Sequence, residues 1–128
     1  MRFFRALLGK CDTKPLDAGL WKVDGNKVKV QIEKVAVAKG NATYLCCNGL
    51  EKPVLIVRTA DDTYIAFENL CPHGKRKIDP IPGEPKLRCC SVNHSTFDYE
   101  GKPLSGPAHK PLKRYTVEKN GGELVITL

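Results

Sequence analysis

The sequence has no apolar run near the roughly 20 residues that a membrane-spanning helix requires. Its longest apolar stretches are a few residues, such as Val54-Leu55-Ile56-Val57. An export signal is also missing, because residues 1–8 combine charge with too short an apolar part. They read as a short helix or arm folded onto the domain, or as a docking surface for a membrane or a partner subunit. There is no helix–turn–helix or zinc-finger spacing and no block of Lys and Arg interleaved with aromatics, so the formal charge of +7 does not point to nucleic acid. Repeats and low-complexity segments are absent. Histidine is scarce, with three in 128 residues, which limits how many metal sites can coexist.

What is present suits one globular domain over residues 1–128, with a short N-terminal arm at 1–20. The composition is 41% hydrophobic and 27% charged, enough for one core and too apolar for a disordered chain. Six cysteines are many for this length. Cys46-Cys47 and Cys89-Cys90 are adjacent pairs, however, and neighbouring cysteines rarely bridge each other. Without an export signal, a reducing cytoplasmic compartment and metal ligation are the economical expectation.

After Leu8 the pattern is that of short strands. Segments 27–32, 53–59, 64–69, 86–90, 95–99, 114–119 and 123–128 carry β-branched or aromatic residues, with turn signals between them. Residues 19–25 form a turn-rich opening around Trp21. Asp61-Asp62 and Asn120-Gly121-Gly122 predict tight hairpins. Strands of this length predict an all-β fold, a small antiparallel sandwich or barrel. The Pro-rich connection at 75–85 lacks its own periodicity, and such loops are often functional.

The chemistry concentrates between Cys71 and Ala108. Cys71-Pro72-His73 follows one predicted strand, and Cys89-Cys90-Ser91-Val92-Asn93-His94 follows another. Two loops at strand ends, each offering one thiolate and one imidazole, can converge on a single inorganic centre. Here the chain resembles the Rieske family, whose loops read C-x-H and C-x-x-H, followed by His-Gly-Ser-x-Phe/Tyr-Asp. This chain has His94-Ser95-Thr96-Phe97-Asp98. Downstream, the segment Gly101-Lys102-Pro103-Leu104-Ser105-Gly106-Pro107-Ala108 looks like the proline loop that covers the family's cluster.

The second loop departs from the pattern. His94 lies one place later than C-x-x-H requires when counted from Cys90, and Asn93 stands at the usual histidine position. The distance from Cys90 to Phe97 nevertheless matches the family. One residue added before His94 and the loop glycine lost after it would account for both. An asparagine cannot replace an imidazole at iron, so His94 is retained as the ligand. Cys89 and Cys90 point to opposite faces in extended backbone, and only one should face the metal. The spacing to Phe97 selects Cys90, with Cys89 as the alternative.

The resemblance implies a cluster-binding portion at about 69–109, formed by the two loops, and one [2Fe-2S] cluster per chain. Cys71 and Cys90 would hold the inner iron, His73 and His94 the outer one, with Ser95, Thr96, Phe97 and Pro107 around them. Two ferric ions, two sulfides and two thiolates sum to zero charge, so an electron enters more easily than in a four-thiolate cluster. Rieske centres accordingly span roughly −150 to +300 mV, against about −400 mV for plant-type clusters. Phe97 stands where high-potential members carry a tyrosine and cannot donate a hydrogen bond. Loop one has no second cysteine, so the family's inter-loop disulfide cannot form.

The implied function is one-electron transfer with redox protein partners, without a small-molecule substrate or nucleic acid. An acidic partner would profit from the basic surface. One alternative is the Rieske subunit of a membrane quinol–cytochrome complex, peripheral at the membrane, towards which Pro111 to Tyr115 leans. Another is a structural zinc module, since two cysteines and two histidines also suit tetrahedral zinc. The downstream Ser-Thr-Phe-Asp segment would then have no role. An oxygenase would need a further two-histidine, one-carboxylate iron site. His109 is the single histidine left over and reads as a surface residue. Of Cys46 and Cys47, one is expected to be buried by its strand, and Cys11 has no assignable role.

Overall fold

The computed structural model describes residues 13–35, 37–72, 77–90, 95–106 and 109–128. Within them the chain is almost entirely β. The first half holds β1 (Lys14–Pro15), β2 (Trp21–Asp24), β3 (Lys27–Val30), β4 (Ala42–Leu45), β5 (Val54–Arg58) and β6 (Tyr64–Glu68). The second holds β7 (Ile78–Pro80), β8 (Lys86–Cys89), β9 (Thr96–Asp98), β10 (Pro103–Ser105), β11 (Arg114–Asn120) and β12 (Glu123–Thr127). Single 3-10 turns at Ala18–Leu20 and Ile32–Lys34 are the only helical pieces among the described residues. None is long and apolar enough to cross a membrane.

The strands form an eight-stranded sheet in the order β1-β4-β5-β6-β11-β12-β3-β2 and a four-stranded sheet in the order β10-β9-β8-β7. The all-β expectation is met, with one exception to antiparallel pairing, since β1 runs parallel to β4. Each of the seven strands expected from sequence is present, within about two residues at its ends. β1 falls within the expected arm, β2 within the turn-rich opening, β7 within the Pro-rich connection and β10 within the segment that resembles a proline loop, while β4 precedes Cys46 and Cys47, where a strand is expected. These strands are two to four residues long, too short for a periodic signal.

The apolar run at 54–57 explains the packing. A strand that is apolar at successive positions must be covered on both faces. On β5, Val54 and Ile56 join one apolar cluster, with Trp21, Val28, Val30, Leu45, Leu124 and Ile126. Leu55 and Val57 join another, with Ile65, Phe67, Ile78, Leu87 and Phe97. The large sheet therefore curls around the first core, while the small sheet covers the outer face of β5 and β6 through the second. Each fully buried Leu, Ile or Phe contributes about 1.5–3 kcal/mol.

The small sheet is inserted between two strands that are neighbours in the large one. β6 and β11 pair directly, with Phe67 opposite Arg114 and Ala66 opposite Tyr115. Everything from residue 69 to 113 leaves and returns at that seam. Arg114 closes it, donating from Nη1 to the Tyr99 carbonyl at 3.1 Å and pairing with Glu100 at 2.9 Å. The N-terminal segment is tied to the same insertion, because Thr13 N–H donates to Asp79 Oδ1 at 3.0 Å. Asp79 is buried and faces Arg88 across β7 and β8, at 3.7 Å. Residues 1–12, read as an arm and including Cys11, lie outside the described residues.

Both predicted hairpins are present. Asp62 adopts φ 63° between β5 and β6, and Gly121 adopts φ 62° between β11 and β12. The segment that resembles a proline loop is closed at its base by Gly101, whose carbonyl accepts from Leu112 N–H at 2.8 Å. Gly101 has φ +89°, and a Cβ there would sit 2.6 Å from the Leu112 carbonyl oxygen. Gly101→Ala is expected to cost about 2 kcal/mol or more, from left-handed backbone plus backbone collision. Thermal unfolding checks this; an unchanged midpoint would show that the loop base is not so constrained.

Candidate metal centre

Loop one leaves β6 through Asn69, whose backbone N–H donates to the Pro53 carbonyl at 2.8 Å. Its side-chain Oδ1 accepts from Ile78 N–H at 2.9 Å, and the residue is fully buried. This bond joins the exit of β6 to the first residue of β7. Ile78 is in turn the cross-strand partner of Cys89, the last residue of β8. Beyond it, Cys90 N–H donates to the Lys77 carbonyl at 2.8 Å and Cys89 N–H to the Ser95 carbonyl at 2.7 Å. The roots of both loops are thus laced together through residues 69, 77, 78, 89, 90 and 95.

The thiols at this junction differ in state. Cys71 and Cys89 are not joined in disulfides and have no exposed surface. Cys90 is buried at 2% exposure and is disulfide-bonded. Cys89 lies two residues after Leu87, so both side chains turn to one face of β8, and both belong to the apolar cluster that holds Cys71, Ile78 and Phe97. Arg88, on the opposite face, is half-buried.

Around the thiols, Ser95 and Phe97 are fully buried. Phe97 packs in the second core and offers no hydroxyl. Thr96 is half-buried, and its hydroxyl shares a 2.5 Å hydrogen bond with that of Ser105, which occupies it within the small sheet. Of the two hydroxyls expected near the centre, Ser95 is the one enclosed at the loop junction. Lys77 stands exposed at the rim, with its ammonium 3.0 Å from the Tyr44 hydroxyl and 4.5 Å from the centroid of that ring. His73, His94 and Pro107 lie outside the described residues. Among the described residues no group of three or more His, Cys, Asp or Glu assembles. His109 is exposed, as expected.

Cys46 and Cys47 differ from expectation twice. They are joined by a disulfide although adjacent, and neither is buried. β4 ends at Leu45, and the chain then turns through Cys47, Asn48 and Gly49 at φ 70°, 45° and 94°. With the strand ended, no sheet face remains to bury either side chain.

The residues present fit a sulfur-ligated inorganic group. The thiols of Cys71 and Cys89 at the junction are soft ligands held where water is excluded. Asn69 Nδ2 is buried without a hydrogen-bond partner. An unpaired buried donor costs about 1–3 kcal/mol, and an anionic sulfur centre in the site would supply the missing acceptor. Sequence reasoning missed Asn69, Ile78 and Lys77. The available signal was a polar residue two places before Cys71, ending an otherwise apolar strand.

Comparison with known proteins agrees with this architecture. The sequence matches the Rieske [2Fe-2S] domain over residues 24–116. Among solved structures, the chain is similar to the ferredoxin of carbazole 1,9a-dioxygenase from Nocardioides aromaticivorans. The TM-score is 0.60 at 24% identity, covering 71% of this chain and 88% of that one. The Sphingomonas yanoikuyae ferredoxin gives 0.61 at 20% identity, covering 73% and 90%. The plasma-membrane Rieske protein of the cyanobacterium Synechocystis gives 0.57 at 21%, covering 69% and 87%. No curated protein matches the sequence significantly. At such identities the structural likeness establishes the fold, and the domain match establishes the family: the chain belongs to the Rieske [2Fe-2S] proteins, whose cofactor is a [2Fe-2S] cluster.

Proposed function

We propose that this chain is a one-electron carrier acting between redox proteins, without catalytic activity of its own. The observation that carries the proposal is the lacing of two loop roots around buried cysteines, within a chain of this family. The ligands are Cys71, His73, Cys90 and His94, in a single domain spanning residues 1–128 with its cluster-binding portion at about 69–109. When bound, the cluster supplies a one-electron couple. The chain's own part is to exclude water from the thiolates, to hold the loop roots at fixed separation and to present a charged rim to a partner.

Cys90 is taken from the adjacent pair on two grounds. Its spacing to Phe97 matches the family, and Cys89 already fills an apolar position beside Leu87. The disulfide on Cys90 must then be reduced before the cluster enters. A second reading assigns the ligand to Cys89, because it is not in a disulfide and shares its apolar cluster with Cys71.

The partner is proposed to be another redox protein with an acidic docking face. The net charge of +7 and Lys77 at the rim support this, since opposite charge speeds encounter. A ferredoxin–oxygenase complex is known for the carbazole 1,9a-dioxygenase system, and an electron-accepting oxygenase is a partner of suitable class. The likeness to a plasma-membrane Rieske protein favours, as a second reading, a subunit held at a membrane complex by its partners. The proposed location is cytoplasmic, with peripheral membrane attachment in that second case.

Reconstitution under reducing, anaerobic conditions is expected to load iron and acid-labile sulfide equally. The reduced protein should show a mean g value below that of four-cysteine clusters. Stoichiometric zinc in a colourless protein, or no metal at all, would overturn the carrier assignment. Cys71→Ala and Cys90→Ala are each expected to abolish loading, whereas Cys89→Ala retains it; the reverse result for the adjacent pair transfers the ligand role to Cys89. A redox titration should give a potential in the lower part of the −150 to +300 mV span, because Phe97 donates no hydrogen bond and the loops lack a linking disulfide. A value near the top of that span would contradict this account of the surroundings.

A further inference from the structure

We infer that Asn69 positions the centre, with its side-chain carbonyl fixing the distance between the two loops and its amide N–H donating to anionic sulfur there. The inference rests on the cluster reading above. The orientation of the amide is not arbitrary. Ile78 N–H is a donor, so the atom 2.9 Å away must be the oxygen, and the NH2 group is the free arm. That arm is fully enclosed yet has no acceptor from the protein.

Three features direct it to sulfur. Asn69 lies two residues before Cys71, and its backbone is pinned to Pro53. Its carbonyl holds Ile78, which pairs with Cys89. Asn69 thus stands between the roots of loop one and loop two, at a junction whose Cys71, Ile78 and Cys89 belong to the second apolar cluster. The acceptors a loaded site adds at this junction are thiolate and sulfide sulfur. Hydrogen bonds to such sulfurs are among the terms that set a cluster's potential, and a donated N–H stabilises the reduced, more negative form.

The two arms of the amide can be tested separately. Asn69→Leu removes both; Asn69→Asp keeps an acceptor for Ile78 N–H and removes the amide donor. In the metal-free protein, Asn69→Leu is expected to lose hydrogen-exchange protection at the Ile78 amide, while Asn69→Asp keeps it. In the loaded protein, Asn69→Leu should bind its electron about tenfold more weakly, about 59 mV for one electron. Pulsed paramagnetic resonance of reduced protein labelled with 15N only at asparagine should show a weak nitrogen coupling in wild type. That coupling should be absent from both variants, which separates Asn69 from Asn93.

A wild-type protein that loads the cluster and shows histidine but no asparagine coupling would overturn the donor role. An unchanged potential in Asn69→Leu would overturn it too. Unchanged exchange at Ile78 in that variant would overturn the positioning role. Failure of the wild-type chain to load any cluster would instead strike the proposed function.

Discussion

The structure depends on two central strands being buried on both faces. β5 and its partner β6 pair from Val54 opposite Glu68 to Arg58 opposite Tyr64, and their side chains feed two separate apolar clusters. A half-barrel alone would leave Leu55, Val57, Ile65 and Phe67 facing water. Covering those four side chains is what holds the small sheet in place, since β7 to β10 are only three or four residues each and could not persist as an isolated sheet. The small sheet is thus stabilised by the same surface that it covers.

That arrangement decides where a metal centre can be built. The insertion departs from β6 and returns at β11, adjacent strands of the large sheet, so its two ends are fixed about one strand spacing apart. Loop one begins at one of these fixed ends. Loop two begins at the end of β8, which register with β7 places beside the Asn69–Ile78 bond. Each loop starts from a backbone position already determined by hydrogen bonds. Loops on rigid roots commonly carry function for this reason.

Much of this was legible in the sequence, for physical reasons that differ by element. The unbroken apolar run at 54–57 announces a strand covered twice, and the hairpin residues Asp62 and Gly121 announce turns that need positive φ. The Cys-Pro-His and Cys-Cys-…-His groups stand out because they place thiolate and imidazole together after predicted strands. By contrast, β1, β7 and β10 are two or three residues long, too short to show a period, and β1 is held by β4, a strand outside its local window. The Cys46–Cys47 disulfide runs against the expectation that neighbouring cysteines rarely bridge, and their exposure follows from β4 ending at Leu45. Asn69 was passed over because its meaning lies in Ile78, nine residues on, and in the absence of any partner for its NH2.

The contrast between interior and surface follows the needs of a carrier. A cluster ligated by two thiolates and two neutral imidazoles is uncharged when oxidised, so apolar surroundings such as Ile78, Leu87, Phe97 and Leu112 penalise it little. The added electron brings one negative charge, and the same surroundings then resist it. A few oriented dipoles suffice to offset that resistance without admitting water. The buried Ser95 and Asn69 place polar groups at the loop junction, while Lys77 and other lysines are exposed. Long-range attraction for a partner and tuning of the centre can therefore be altered by separate residues, because one acts through solvent and the other through direct contact.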